Sequence, residues 1–158
     1  AAAPNSSLVH MFETVRCRSA ATRADFFGGT DASGAWTLEH EAIQAALGEA
    51  IAANAPVVVL GTAFNFVHLL DGLNERGVRV ELPAGSVVME TGGYKGRSRE
   101  LNRPELHHLI SERLGVPEEG IVCEYGMSEL SSQAYATNRG PTSSGTGRIF
   151  RFPAWARC

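Results

Sequence analysis

An aromatic ring, a glycine, a hydroxyl and a carboxylate stand close together in the motif Y-G-M-S-E at residues 125–129. The motif follows the apolar residues 120–123, which predict a buried strand ending just before it. A tyrosine can pack on a purine, a serine can bond a phosphate oxygen, and a glutamate offers the hard anionic oxygen that Mg²⁺ prefers. The spacing therefore predicts a nucleotide and magnesium site at Tyr125, Ser128 and Glu129.

A second motif, T-G-G at residues 91–93, follows another predicted strand at residues 86–90. Adjacent glycines let a flat ring approach the backbone closely, which any Cβ would obstruct. In open α/β sheets, ligands bind beyond the carboxyl ends of the strands. We therefore expect Gly92 and Gly93 to face Tyr125 across one crevice.

Residues 82–96 and 124–130 together resemble the adenylate-forming superfamily, and especially its acyl-protein synthetase branch, the LuxE-like proteins that activate a fatty acid with ATP. In that family the tyrosine packs on adenine, the hydroxyl residue contacts the α-phosphate and the glutamate helps to hold Mg²⁺. Serine stands at 128 where threonine is commoner, a change that keeps the hydroxyl. The resemblance implies ATP contacts for Gly92, Gly93, Tyr125 and Gly126, catalytic roles for Ser128 and Glu129, and Mg²⁺ binding by Glu129.

The reaction implied by the resemblance is attack of a carboxylate on the α-phosphorus of ATP, which gives an acyl-adenylate and pyrophosphate. The acyl group, a long-chain fatty acid in the LuxE-like branch, then passes to a thiol. Thr62 and Phe64, which follow the predicted strand at residues 57–60, are expected to meet the acyl chain. The pair His107-His108 has no third ligand at metal-binding spacing, so we expect it to be solvated on a helix surface.

Apolar periodicity predicts an α/β fold, with a mostly parallel sheet, helices on both faces and a C-terminal antiparallel β-ribbon. Residues 1–38 are predicted to be an N-terminal extension and loop, with residues 23–36 as an ordered loop. Residues 39–158 are predicted to form one α/β subdomain, which the resemblance implies is part of a larger adenylate-forming N-terminal domain. The predicted helices lie at residues 43–51, 66–73 and 102–114, and the predicted strands at residues 57–60, 78–82, 86–90, 121–124, 133–137 and 148–152.

Composition excludes several classes of protein. A net charge of −3 without a Lys/Arg cluster argues against a nucleic-acid partner. Three widely separated cysteines without a C-x-x-C pair favour reduced thiols in a cytoplasmic protein. Residues 51–70 lack Asp, Glu, Lys and Arg, but they split at Gly61 into a β-branched run and a helical pattern, so we expect no membrane span.

The resemblance covers about residues 39–157 and omits an upstream phosphate loop, a downstream ribose-binding aspartate and a C-terminal domain with a lysine. We therefore expect the chain to be a central fragment, inactive alone, whose partners are the remaining segments of the same enzyme or a second chain. Its uncovered apolar surface would then favour self-association. Two alternatives stay open. One is a non-catalytic nucleotide-binding or assembly module, and the other is an unrelated Rossmann-like domain, which would lack its G-x-G-x-x-G.

Overall fold

The computed structural model describes residues 7–18, 23–94, 99–127, 132–137 and 151. The chain divides into two compact units, residues 1–45 and 46–158. The helices are α1 (Ser7–Arg18), α2 (His40–Ala52), α3 (Ala63–Glu75) and α4 (Arg103–Leu114), and the strands are β1 (Gly28–Thr30), β2 (Trp36–Leu38), β3 (Val58–Thr62), β4 (Val87–Thr91), β5 (Ile121–Met127) and β6 (Ser132–Thr137).

The first unit contains a small antiparallel hairpin of β1 and β2. The Asp31 carboxylate accepts hydrogen bonds from the backbone N–H groups of Ser33 and Ala35, at 2.8 and 3.0 Å, and so closes the turn. The prediction that residues 23–36 form only a loop is wrong, because they contain β1 and the first residue of β2. Each strand has only three residues, which are too few to establish an alternating apolar pattern, and β1 also contains two glycines.

The second unit is built on a four-stranded sheet in the order β3-β4-β5-β6. The first three strands are parallel and β6 is antiparallel to β5, so the fold is α/β with a mixed, mostly parallel sheet. Tyr135 of β6 also forms an antiparallel bridge to Arg151. This bridge joins the two segments that the sequence predicted as a C-terminal ribbon, and the rest of the second segment lies outside the described residues.

Helices α3 and α4 pack on the same face of the sheet. A Cβ added to Gly61 would meet the Phe66 ring of α3 at 3.1 Å, and Glu90 of β4 bonds to His107 of α4 at 3.0 Å. Gly61 and Glu90 are paired in register, so their side-chain directions point to one face. These contacts place α3 and α4 on one face, and the predicted arrangement of helices on both faces stays a prediction.

The ends of α4 follow local sequence signals. Asn102 accepts a hydrogen bond from the backbone N–H of Glu105 at 2.9 Å, as the predicted N-cap requires. Gly115 adopts a left-handed conformation with φ of 67° and ends the helix. Both the start and the end of this helix were therefore predicted from the sequence.

One predicted strand, at residues 78–82, is absent. The backbone N–H groups of Val80 and Leu82 donate instead to the carbonyls of Arg113 and Leu114 at the end of α4, both at 3.0 Å. The side chains of Val80 and Leu82 are buried. Burial explains the apolar pattern, while the hydrogen bonds to a helix end, not to a strand, explain why no strand forms.

The uncharged stretch at residues 51–70 divides as predicted, into the end of α2, then β3 and most of α3. Among the described residues, no helix combines the length and the apolar character needed to span a bilayer.

Replacing Gly115 with alanine should destabilise the protein by about 1–2 kcal/mol. The residue is left-handed, and a new Cβ would lie 3.1 Å from the Cα of Glu81. Gly48→Ala is the matched control, because Gly48 lies within α2 with nothing within 4 Å of a new Cβ. It should raise stability by about 0.5–1 kcal/mol. Urea unfolding of both variants measures the difference, and equal effects would contradict the role given to Gly115.

Candidate functional site

The parallel register brings the two sequence motifs to the same end of the sheet. Thr91 of β4 pairs with Glu124 of β5. The next residues along the two strands are Gly92 and Tyr125, which therefore lie side by side just beyond this pair. Two motifs that are more than thirty positions apart in the sequence thus meet at the carboxyl end of β4, where α/β sheets bind ligands.

Tyr125 lies on the same face of the sheet as the buried Glu90. The thiol of Cys123 bonds to the Glu90 carboxylate, so Cys123 points to that face, and Tyr125 follows it by two residues in a continuous strand. The side chain of Tyr125 is 42% exposed. The prediction that the motif begins in a loop is wrong for Tyr125 and Gly126, because pairing with β6 extends β5 to Met127.

Open space adjoins both glycines of the T-G-G motif. Gly92 has φ of +69°, a backbone conformation that favours glycine, and a Cβ added there would meet nothing within 4 Å. A Cβ at Gly93 would likewise meet nothing within 4 Å. The surface beside these glycines is therefore accessible to a flat group that needs close approach to the backbone.

A cavity of about 150 Å³ lies beside Gly92, between the end of β4 and the first residues of α3 and α4. It combines apolar walls with a carboxylate, a guanidinium and a phenol. The lining residues are Ala63, Glu90, Gly92, Tyr94, Leu101, Arg103 and Leu106.

The most organised polar group of the site is the carboxylate of Glu90, which is only 2% exposed. Its Oε1 atom lies 3.0 Å from Nε2 of His107 and 3.2 Å from Nε of Arg103. Both partners belong to α4, so this carboxylate ties the end of β4 to the first turns of the helix. Buried carboxylates are rare without such partners, since desolvation strongly penalises the charged form.

The same contacts decide the protonation of Glu90. Burial by itself would raise the pKa of this carboxyl, but the hydrogen bonds from His107 and Cys123 and the positive charge of Arg103 more than offset it, and the pKa falls below its ordinary value. Burial raises the pKa of Tyr94 on the wall of the cavity. At neutral pH the cavity therefore presents an anionic carboxylate and a neutral phenol.

A second buried carboxylate lies on the opposite face of the same strand end. The hydroxyl of Thr91 donates to the Glu124 carboxylate, and both residues are buried. Burial raises the pKa of Tyr135, which pairs with Glu124 across the sheet, and the charge of Glu124 raises it further. Polar groups thus occupy both faces of the sheet at the end of β4.

The remaining predicted site residues are placed as follows. Thr62 pairs with Thr91 at the end of β3, and its Oγ1 accepts from the backbone N–H of Asn65 at 3.2 Å, so it caps α3. Phe64 is half-buried and packs edge-on against His68, with ring centroids 4.4 Å apart. Ser128 and Glu129 lie outside the described residues.

Sequence reasoning missed the Glu90 cluster, and its prediction for His107 is wrong. His107 is a buried partner of Glu90 and not a solvated surface residue. A usable signal was present. Glu90 interrupts an apolar strand two residues after Val88, and His107 lies three residues before the buried Ile110 on the same helix. Both positions are thus on the buried side of their elements.

Within residues 7–18, 23–94, 99–127, 132–137 and 151, no group of three His, Cys, Asp or Glu side chains is arranged to hold a metal ion. Comparison of the chain with protein-family models, curated proteins and solved structures gave no match.

Replacing Glu90 with glutamine should lower the free energy of unfolding at pH 7 by about 2–4 kcal/mol. The folded-state pKa of Glu90 is lowered, so ionised Glu90 stabilises the fold above the ordinary carboxyl value, and this contribution is lost as the pH falls through the folded-state pKa. The difference between wild type and variant should therefore shrink between about pH 5 and pH 3.

Chemical denaturation across this pH range measures the effect. Glu112→Gln is the matched control, because its exposed side chain lies on α4 as well and its loss should cost about 0.5 kcal/mol or less. An equal stability loss at pH 7 and pH 3 for Glu90→Gln would contradict an ionised, stabilising carboxylate.

Proposed function

We propose that this chain supplies the adenine and magnesium side of an adenylate-forming site, which activates a carboxylic acid with ATP. The observation that carries the proposal is the common position of Gly92 and Tyr125 at the carboxyl end of a parallel strand pair, beside open space and a cavity. The resemblance of residues 82–96 and 124–130 to acyl-protein synthetases supports a long-chain fatty acid as the substrate.

The arrangement of Gly92, Gly93 and Tyr125 suits a purine ring. The absence of side chains at the glycines leaves room for one face of the ring, and the phenol of Tyr125 lies on the face of the sheet that carries Glu90. In the proposal, Ser128 contacts the α-phosphate and Glu129 holds Mg²⁺.

The proposed chemistry is a displacement at phosphorus. A carboxylate oxygen of the acid forms a bond to the α-phosphorus, and the bond from that phosphorus to the bridging oxygen of pyrophosphate breaks. The chain would bind the base through the glycines and Tyr125 and orient the α-phosphate through the Ser128 hydroxyl. A bound Mg²⁺ would supply neutralisation of the charge that builds on the phosphate oxygens. The acyl group would then pass from the adenylate to a thiol.

A non-catalytic nucleotide-binding or assembly module is the second candidate. One observation favours it. The Thr62 hydroxyl caps α3 and Phe64 packs on His68, so the residues predicted to meet an acyl chain already have structural contacts. In this alternative ATP binds beside Gly92 but no acyl-adenylate forms.

ATP–pyrophosphate exchange driven by a fatty acid distinguishes the two functions. The assay should be run on this chain and on the complete protein encoded by its gene, the full gene product. Exchange that depends on the added acid is expected for the full gene product. ATP binding without exchange in that protein would support the non-catalytic module and remove the proposed ligase activity.

Glu129→Gln tests the strongest residue assignment. Glutamine is nearly isosteric and lacks the charge, so exchange should fall on the order of a hundredfold or more while thermal stability changes by only about 0.5 kcal/mol. Glu112→Gln serves as the control for loss of an exposed carboxylate and should keep wild-type exchange. Wild-type exchange in a folded Glu129→Gln protein would eliminate Glu129 as a magnesium ligand.

A further inference from the structure

Glu90 differs from an ordinary buried structural carboxylate because it also lines the cavity beside Gly92. Its two helix partners both approach one oxygen, Oε1. A carboxylate has two oxygens with about four lone-pair sites, so these two bonds and the bond from the Cys123 thiol still leave acceptor capacity. A hydrogen-bond donor in the cavity could therefore bond to Glu90 without displacing His107 or Arg103.

The cavity adjoins the proposed base position, because Gly92 lines it. Tyr125 follows Cys123 by two residues in β5, a step of about 7 Å on the face that carries Glu90, while Gly92 comes directly after the last residue of β4 and lines the same cavity as Glu90. A ring held beside Gly92 would therefore lie at the mouth of the cavity that Glu90 lines, with one edge available to that carboxylate. Arg103, also on the cavity wall, places a guanidinium donor next to this acceptor.

This pair of groups matches one base edge in particular. Adenine presents its exocyclic amino group as a donor next to the N7 acceptor, whereas guanine presents two acceptors, O6 and N7, at the corresponding positions. The Glu90 carboxylate can accept from the amino group of adenine, while the Arg103 guanidinium can donate to the neighbouring N7. A carbonyl oxygen placed against a buried carboxylate would instead be repelled and left without a donor.

We propose that Glu90 is a specificity-determining residue that accepts a hydrogen bond from the exocyclic amino group of adenine, with Arg103 donating to the neighbouring ring nitrogen. The inference rests on the proposed function, because it needs the base to lie beside Gly92 and Tyr125. It adds to that function a role for a residue outside both sequence motifs. His107 has a different role, since it bonds to Glu90 Oε1 from α4 and contributes to the stability of the fold.

The first test changes the ligand and leaves the protein intact. Binding of ATP, GTP and the purine nucleoside triphosphate that lacks the 6-amino group is measured by calorimetry on the full gene product. ATP should bind at least about tenfold more tightly than either analogue, as expected for a hydrogen bond to a charged acceptor. Similar affinities for ATP and the 6-unsubstituted analogue, or GTP binding as tight as ATP, would overturn the inference.

The second test changes the protein. Glu90→Gln should lower the affinity for ATP, because a neutral acceptor makes a weaker hydrogen bond than a carboxylate. The ratio of ATP affinity to analogue affinity should fall several-fold. His107→Asn is the matched variant. It should lower thermal stability yet keep the affinity ratio, since the carboxylate remains. If both variants change stability alone and leave the ratio at its wild-type value, Glu90 is structural and the inference is wrong.

The outcomes separate the inference from the proposed function. Acid-dependent pyrophosphate exchange together with equal binding of ATP and its analogues would retain the ligase and remove the role of Glu90. Failure of every nucleotide to bind, with no exchange, would remove both. If Glu90→Gln does not fold, the comparison of nucleotides on the wild-type protein decides the question alone.

Discussion

A buried carboxylate at the end of β4 is the interaction on which the described site depends. Glu90 is almost fully removed from water, and it stays ionised because His107, Arg103 and Cys123 surround it with donors and positive charge. A buried carboxylate without partners destabilises the fold. With partners, it favours one arrangement of the segments that contact it. Through it, β4, which ends just before Gly92, is tied to α4.

The sheet places this carboxylate where ligands bind in parallel α/β folds. Three parallel strands with α3 and α4 on one face bring the ends of β3, β4 and β5 to one edge. Glu90 and the Thr91–Glu124 pair then put polar groups on the two faces of the same edge. Buried polar networks have little tolerance for misplacement, so these contacts favour one arrangement of the groups at this edge.

Local signals predicted much of the fold. The capping pattern of Asn102 and Glu105 set the start of α4, and Gly115 set its end, since caps depend on a few neighbouring residues. The strand at residues 78–82 was mispredicted because an apolar run reports burial and not the hydrogen-bond partner. The extension of β5 through Tyr125 was missed for a related reason, since it depends on pairing with β6.

The sequence by itself determined the alternation of strands and helices, the position of the glycines and the chemistry available in the two motifs. Only the tertiary structure decided that Glu90, Arg103 and His107 share one buried cluster beside Gly92. The reason is physical. Which face a strand residue occupies, and which helix covers that face, follow from register and crossover, and these are fixed by packing between segments far apart in the chain.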